Sequence, residues 1–128
     1  MAFAERFEDL VVWQKARAFN AIIYRLSSDT LFAKDFSFRD QIRRASVSIS
    51  ANIAEGFERN GRKEFNYFLS VAKASAGEVR SLLYVAFDLN YLNQADFDKL
   101  INEISLISKM ISSLIKTLSV NEKPKINQ

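Results

Sequence analysis

The sequence predicts an all-α protein, an antiparallel up-down-up-down four-helix bundle. Three observations predict it. Apolar residues recur at alternating spacings of three and four through most of the chain, the mark of one buried face per helix. The single Pro, Pro124, stands near the end, so nothing before it forbids a helix. Short turn signals separate the periodic stretches, as an up-down bundle requires.

The first predicted helix covers about residues 9–27. Val12, Ala16, Phe19, Ile23 and Leu26 form a bundle seam, widened by Trp13 and Ile22. Residues 28–36 keep no period and read as a loop, with Leu31, Phe32 and Phe36 expected on the core. The second helix spans about 37–59, opened by Ser37 with Asp40 as a capping pair and closed by Asn60-Gly61. The third, about 62–90, holds a heptad spacing through Phe65, Leu69, Ala72, Ala76, Val79, Leu83 and Ala86, with Phe68, Leu82 and Leu89 beside it. Asn93 and Asp96 look like a cap for the fourth, about 94–118. Its stripe is Phe97, Leu100, Ile104, Ile107, Ile111, Leu114 and Leu118. Residues 1–118 thus form one domain, and 119–128 a flexible tail.

Composition narrows the function. At 128 residues and 48% hydrophobic content, the chain can bury a real core. It has no Cys and no His. That removes the thiolate nucleophile, the commonest general base and the softer metal ligands. No phosphate-binding loop, zinc or calcium motif is present. The sequence therefore points to no cofactor, no metal, no small-molecule substrate and no catalytic residue. No apolar run could span a bilayer and no signal peptide is visible, so the cytoplasm is the expected compartment. The net charge of +3 hints at anionic partners.

The second helix carries the most unusual pattern. Ile42, Ala45, Ile49 and Ile53 mark its apolar face. Beside them runs a stripe of Gln41, Arg44, Ser48, Asn52, Glu55 and Arg59. Serines and Asn weaken an isolated helix, so such a stripe predicts close packing or a hydrogen-bonded contact. The short Asn60-Gly61 connection makes helices two and three antiparallel neighbours, and positions adding to about 122 then lie opposite. This register predicts a small-residue contact of Ser46, Ser48, Ala51 and Ala54 with Ala72, Ala74, Ser75 and Gly77. It also predicts a partly buried ion pair between Arg44 and Glu78. Six basic residues (Arg39, Arg43, Arg44, Arg59, Arg62, Lys63) lie among four acidic ones between positions 36 and 64.

These residues resemble the signature of the 23S rRNA intervening-sequence proteins, also called the four-helix-bundle protein family. The match rests on Gln41, Arg43, Arg44, Ser48, Asn52, Glu55 and Gly56 within Gln41-Ile42-Arg43-Arg44-Ala45 and Asn52-Ile53-Ala54-Glu55-Gly56. Trp13-Gln14-Lys15-Ala16, Glu64-Phe65, Phe68-Leu69, Ser75-Ala76 and Glu78 support it, and it covers residues 7–118. Two positions depart: the family often has Pro where Ser50 stands and Gly where Ala74 stands. The resemblance implies a bacterial helical bundle that assembles into a ring, often a homopentamer. It also implies kinship with nucleic-acid-binding accessory proteins of diversity-generating retroelements. It supplies no catalytic activity.

The leading expectation is a non-catalytic homo-oligomer that binds RNA or other nucleic acid through phosphate contacts. Arg59, Arg62 and Lys63 at the hairpin tip, with Arg39 and Arg43 on helix two, are the candidate contacts. The alternative is a protein-interaction scaffold that binds no nucleic acid and presents Trp13, Tyr67 or Tyr84. A third reading pairs the carboxylates of Glu55 and Glu78 in an enzyme site.

Overall fold

A computed structural model of the protein describes residues 4–122. It contains a short 3-10 turn, Phe7–Asp9, and the helices α1 (Val11–Leu26), α2 (Thr30–Lys34), α3 (Phe36–Glu58), α4 (Arg62–Asp88) and α5 (Gln94–Glu122). The four long helices run up, down, up and down around one core. The stripes that predicted them fill it. Phe19, Ile23, Ile42, Ile49, Ile53, Leu69, Leu83, Leu100, Ile104 and Ile111 are essentially inaccessible. α3 packs most extensively on α4, and α1 on α5 least of the four long-helix seams.

The connections differ from the expectations in instructive ways. The segment read as a loop contains α2, and α5 continues past residue 118 into the expected tail. The rest of that tail, 123–128, lies outside the described residues. Phe32 is buried, but Leu31 and Phe36 are 57% and 65% exposed, so only one of the three residues assigned to the core reaches it. α3 is capped by Asp35, whose carboxylate accepts from the Phe38 amide at 3.3 Å, two positions before the predicted Ser37. The same carboxylate accepts from the Tyr91 hydroxyl at 2.7 Å. That hydrogen bond, with a smaller contribution from desolvation, raises the Tyr91 pKa above the ordinary phenol value. Phe32 stacks on Tyr91 with centroids 5.2 Å apart, so α2 is tied to the α4–α5 turn.

α4 ends in a Schellman motif. Asn90 takes a left-handed φ of 63°, and the amides of Asn90 and Tyr91 return to the carbonyls of Phe87 and Ala86. At the start of α5 the Asp96 amide donates to the Asn93 side chain at 2.7 Å.

Two hydrogen-bonded threads flank α3. Toward α1, Ser46 donates to Asn20 Oδ1 at 2.6 Å, and Asn20 Nδ2 donates to Ser50 Oγ at 3.0 Å. Ser50 in turn donates to the Val47 carbonyl at 3.2 Å. Toward α4, the hydroxyls of Ser48 and Ser75 share a hydrogen bond at 2.9 Å, and Asn52 donates to both the carbonyl and the hydroxyl of Ser48. Ser48 and Ser75 add to 123, within a residue of the register read from the short connection.

The small-residue contact is narrower than expected. Ser46 faces α1 instead of α4, and Ala51, Ala74 and Gly77 are exposed. The extra methyl at Ala74 therefore touches no close interhelical contact. The tight approach lies at Gly56 instead. A Cβ there would fall 2.7 Å from Phe68 Cβ and 3.1 Å from the Phe65 ring.

At Gly77 a Cβ would meet nothing within 4 Å. Gly77→Ala is accordingly expected to stabilise the isolated subunit by about 0.5–1 kcal/mol, through helix propensity alone. Urea denaturation of both proteins measures it.

Candidate nucleic-acid interface

The turn between α3 and α4 projects the tip cations. Gly61 adopts φ of +91°, a conformation that a side chain would strain, and the turn brings Arg59, Arg62 and Lys63 to one end of the bundle. A depression of about 390 Å³ opens there, lined by Ala4, Gly56, Phe57, Arg59, Gly61, Arg62 and Phe65.

The cations differ sharply in what they already hold. Arg59 lies 2.9 Å from Glu55 and 3.6 Å from Glu64, with its guanidinium 5.0 Å from the centre of the Phe68 ring. It staples the turn, and two carboxylates offset its charge. Arg39 is 3.1 Å from Asp40, donates to the Ala33 carbonyl at the end of α2, and lies over the Phe36 ring. Arg43 donates to Ser27 Oγ at 2.7 Å, Ser28 Oγ at 2.9 Å and the Tyr24 carbonyl at 3.3 Å, with Tyr24's ring beneath it. It caps the C-terminus of α1, where the helix dipole favours a cation. Among the described residues, Arg62 and Lys63 enter no ion pair.

Arg43→Gln should therefore lower stability by about 1–2 kcal/mol, because the last turn of α1 loses its charged donor. Nucleic-acid affinity should be unchanged. Thermal denaturation and a binding titration on one sample separate the two effects.

The predicted Arg44–Glu78 ion pair is absent. Both residues are exposed, and Glu78 instead accepts a long hydrogen bond from Gln41 Nε2 at 3.5 Å. Gln41 lies one turn earlier and closer to the α4 side of α3, so it intercepts the carboxylate, while Arg44 turns outward. Glu55 and Glu78 form no carboxylate pair either. Glu55 holds Arg59, and the register sets the two acids about three helical turns apart. Among the described residues no group of acidic side chains could hold a metal ion. No described helix is long and apolar enough to cross a membrane.

Two sets of residues escaped the sequence reading. Asn20 bridges α1 to α3, and its signal was a lone amide beside the Phe19–Ile23 seam, opposite a helix rich in serine. The second set lines a furrow of about 680 Å³ between α4 and α5: Lys73, Arg80, Lys109, Ser105, Ser108, Ser112 and Ser113. These residues are ordinary surface types taken singly, and only the α4–α5 register gathers them.

This arrangement is that of a small all-α bundle whose motif residues serve assembly of the helices. Gln41, Ser48, Asn52 and Gly56 contact α4 or brace the contact, Glu55 steadies the turn, and Arg43 caps α1. A family model for the 23S rRNA-intervening sequence protein matches residues 8–113, and the chain belongs to that family. A crystal structure of a protein of unknown function from the S23 ribosomal protein family of Bacteroides thetaiotaomicron is similar. It has a TM-score of 0.77 and 28% sequence identity, over 83% of this chain and 96% of that one. No match is found among curated proteins.

Proposed function

We propose that this protein is a non-catalytic, cytoplasmic, homo-oligomeric bundle that binds RNA or other nucleic acid through phosphate contacts. The observation that supports it is the set of unneutralised cations at the hairpin tip. Arg62 and Lys63 project from the first turn of α4 without a carboxylate partner among the described residues. Arg59 contributes by stapling the turn that carries this surface, whereas Arg39 and Arg43 brace α2 and the end of α1 at the opposite end of the bundle, and none of the three is itself a primary contact. A ring, pentameric as the resemblance suggests, would repeat a weak patch and multiply its avidity. The apolar channel between α1 and α5, bordered by Leu10, Val11, Leu106, Met110 and Leu114, is the kind of face self-association covers. Static light scattering gives the number of subunits.

Titration of structured RNA tests the binding. Affinity should fall steeply as salt rises, and Arg62→Glu with Lys63→Glu should weaken it roughly tenfold at low salt. No measurable binding by the native protein at low salt would sink this reading.

The scaffold alternative keeps some support. Tyr67 and Tyr84 are 64% and 52% exposed. Trp13 leaves that list, since it packs edge-on against Phe7 with ring centroids 5.1 Å apart.

A further inference from the structure

We infer that a single-stranded nucleic acid lies along α4, from the hairpin tip into the furrow between α4 and α5. The ligand class rests on the reading above; the track is read from the structure. Arg62, Lys73 and Arg80 are spaced by eleven and seven residues. Those intervals are close to three and two full helical turns, so the three cations share one stripe of α4 about 27 Å long. The opposite wall belongs to α5. Asn66 donates to Ser119 Oγ at 3.2 Å, and the antiparallel register this sets places Lys73 beside Ser112 and Arg80 beside Ser105.

Three features make this furrow suited to a sugar–phosphate backbone. No acidic residue lines it, and Lys73, Arg80 and Lys109 have no ion-pair partner among the described residues. The hydroxyls of Ser105, Ser108, Ser112 and Ser113 make no side-chain hydrogen bond among the described residues, so they remain available to phosphate and sugar oxygens. Gly77 sits between Lys73 and Arg80 on the same exposed side, where the missing side chain leaves the approach open. One turn beyond Arg80 stands Tyr84, 52% exposed and braced edge-on by Phe97 at 5.2 Å. A fixed, exposed ring at the end of a cationic track is a platform for an unpaired base. That ring favours a single strand over an acidic peptide, which has no base to stack.

From Arg62 to Tyr84 the track is about 33 Å long, room for roughly ten stacked nucleotides. Fluorescence anisotropy with labelled oligouridine of increasing length tests it, using the full chain. Affinity should rise to a plateau near about ten nucleotides. Lys73→Gln with Arg80→Gln should weaken binding about tenfold and lower the salt slope by about 1.5. Tyr84→Ala should weaken it about fivefold or more with the salt slope kept, the mark of lost stacking. All three positions are exposed, and circular dichroism verifies that each variant is folded. If the furrow variants bind like the native protein while Arg62→Glu with Lys63→Glu does not, the track is overturned and the proposed function stands. If the native protein binds no oligonucleotide or structured RNA at low salt, both fall. Equal competition by polyglutamate would overturn the assignment to nucleic acid.

Discussion

Gly56→Ala should destabilise the protein by about 1–3 kcal/mol, although alanine is the better helix former. In an open helix the exchange would gain up to about 1 kcal/mol. Here the new methyl would sit 2.7 Å from Phe68 Cβ, the stem of a side chain and not its movable end, and 3.3 Å from the Phe65 carbonyl oxygen. Neither neighbour can yield without shifting α4. The loss of packing across the α3–α4 seam therefore outweighs the propensity gain. Chemical denaturation should show a lower midpoint with an unchanged slope. Gly77→Ala is the internal control, with the same chemical change in open space and the opposite expected sign. A more stable Gly56→Ala protein would mean that α3 and α4 do not approach this closely.

Asn20→Leu is expected to cost about 1–3 kcal/mol. The leucine has similar bulk and higher hydrophobicity, but it strands the Ser46 hydroxyl, which is fully buried and whose hydrogen bond is to Asn20. Ser50 keeps its bond to the Val47 carbonyl, so the penalty falls chiefly on Ser46. The double variant Asn20→Leu with Ser46→Ala should recover most of the loss, since removing both partners leaves no unpaired buried group. A thermal shift of roughly 4 °C per kcal/mol makes the difference measurable. If the double variant is no better than the single one, the cost is steric and the hydrogen bond is incidental.

The sequence made the helices and their inner faces legible because burial leaves a period. Every seam position assigned to α4, from Phe65 to Ala86, is buried. The α3–α4 register was also legible, because the short turn leaves little freedom. Side-chain partners were not. Arg44 and Gln41 both flank the α4 side of α3, and a modest rotation decides which one meets Glu78. Leu31 and Phe36 were assigned to the core on hydrophobicity alone, but Leu31 stands on the short surface helix α2 and Phe36 at the exposed first position of α3. The tip cations were found as a cluster, yet their pairing state depends on side-chain geometry across the turn, and Arg59 proved neutralised. Lys73, Arg80 and Lys109 could not be grouped at all without the register between α4 and α5.

The two polar threads on α3 have a mechanical counterpart on the far side of the bundle. Among the described residues no side-chain hydrogen bond joins α1 to α5, and the apolar channel between them is open to solvent. The subunit is bound like a book, with the α3–α4 pair as its spine, α1 hinged on α3 and α5 hinged on α4 as the two covers. Its lowest-energy distortion is a parting of those covers, which moves no polar lock and leaves the α3–α4 hairpin intact. Breathing at the α1–α5 edge therefore reaches the proposed ligand track as well, because Lys109 and Ser113 of α5 border both the channel and the furrow.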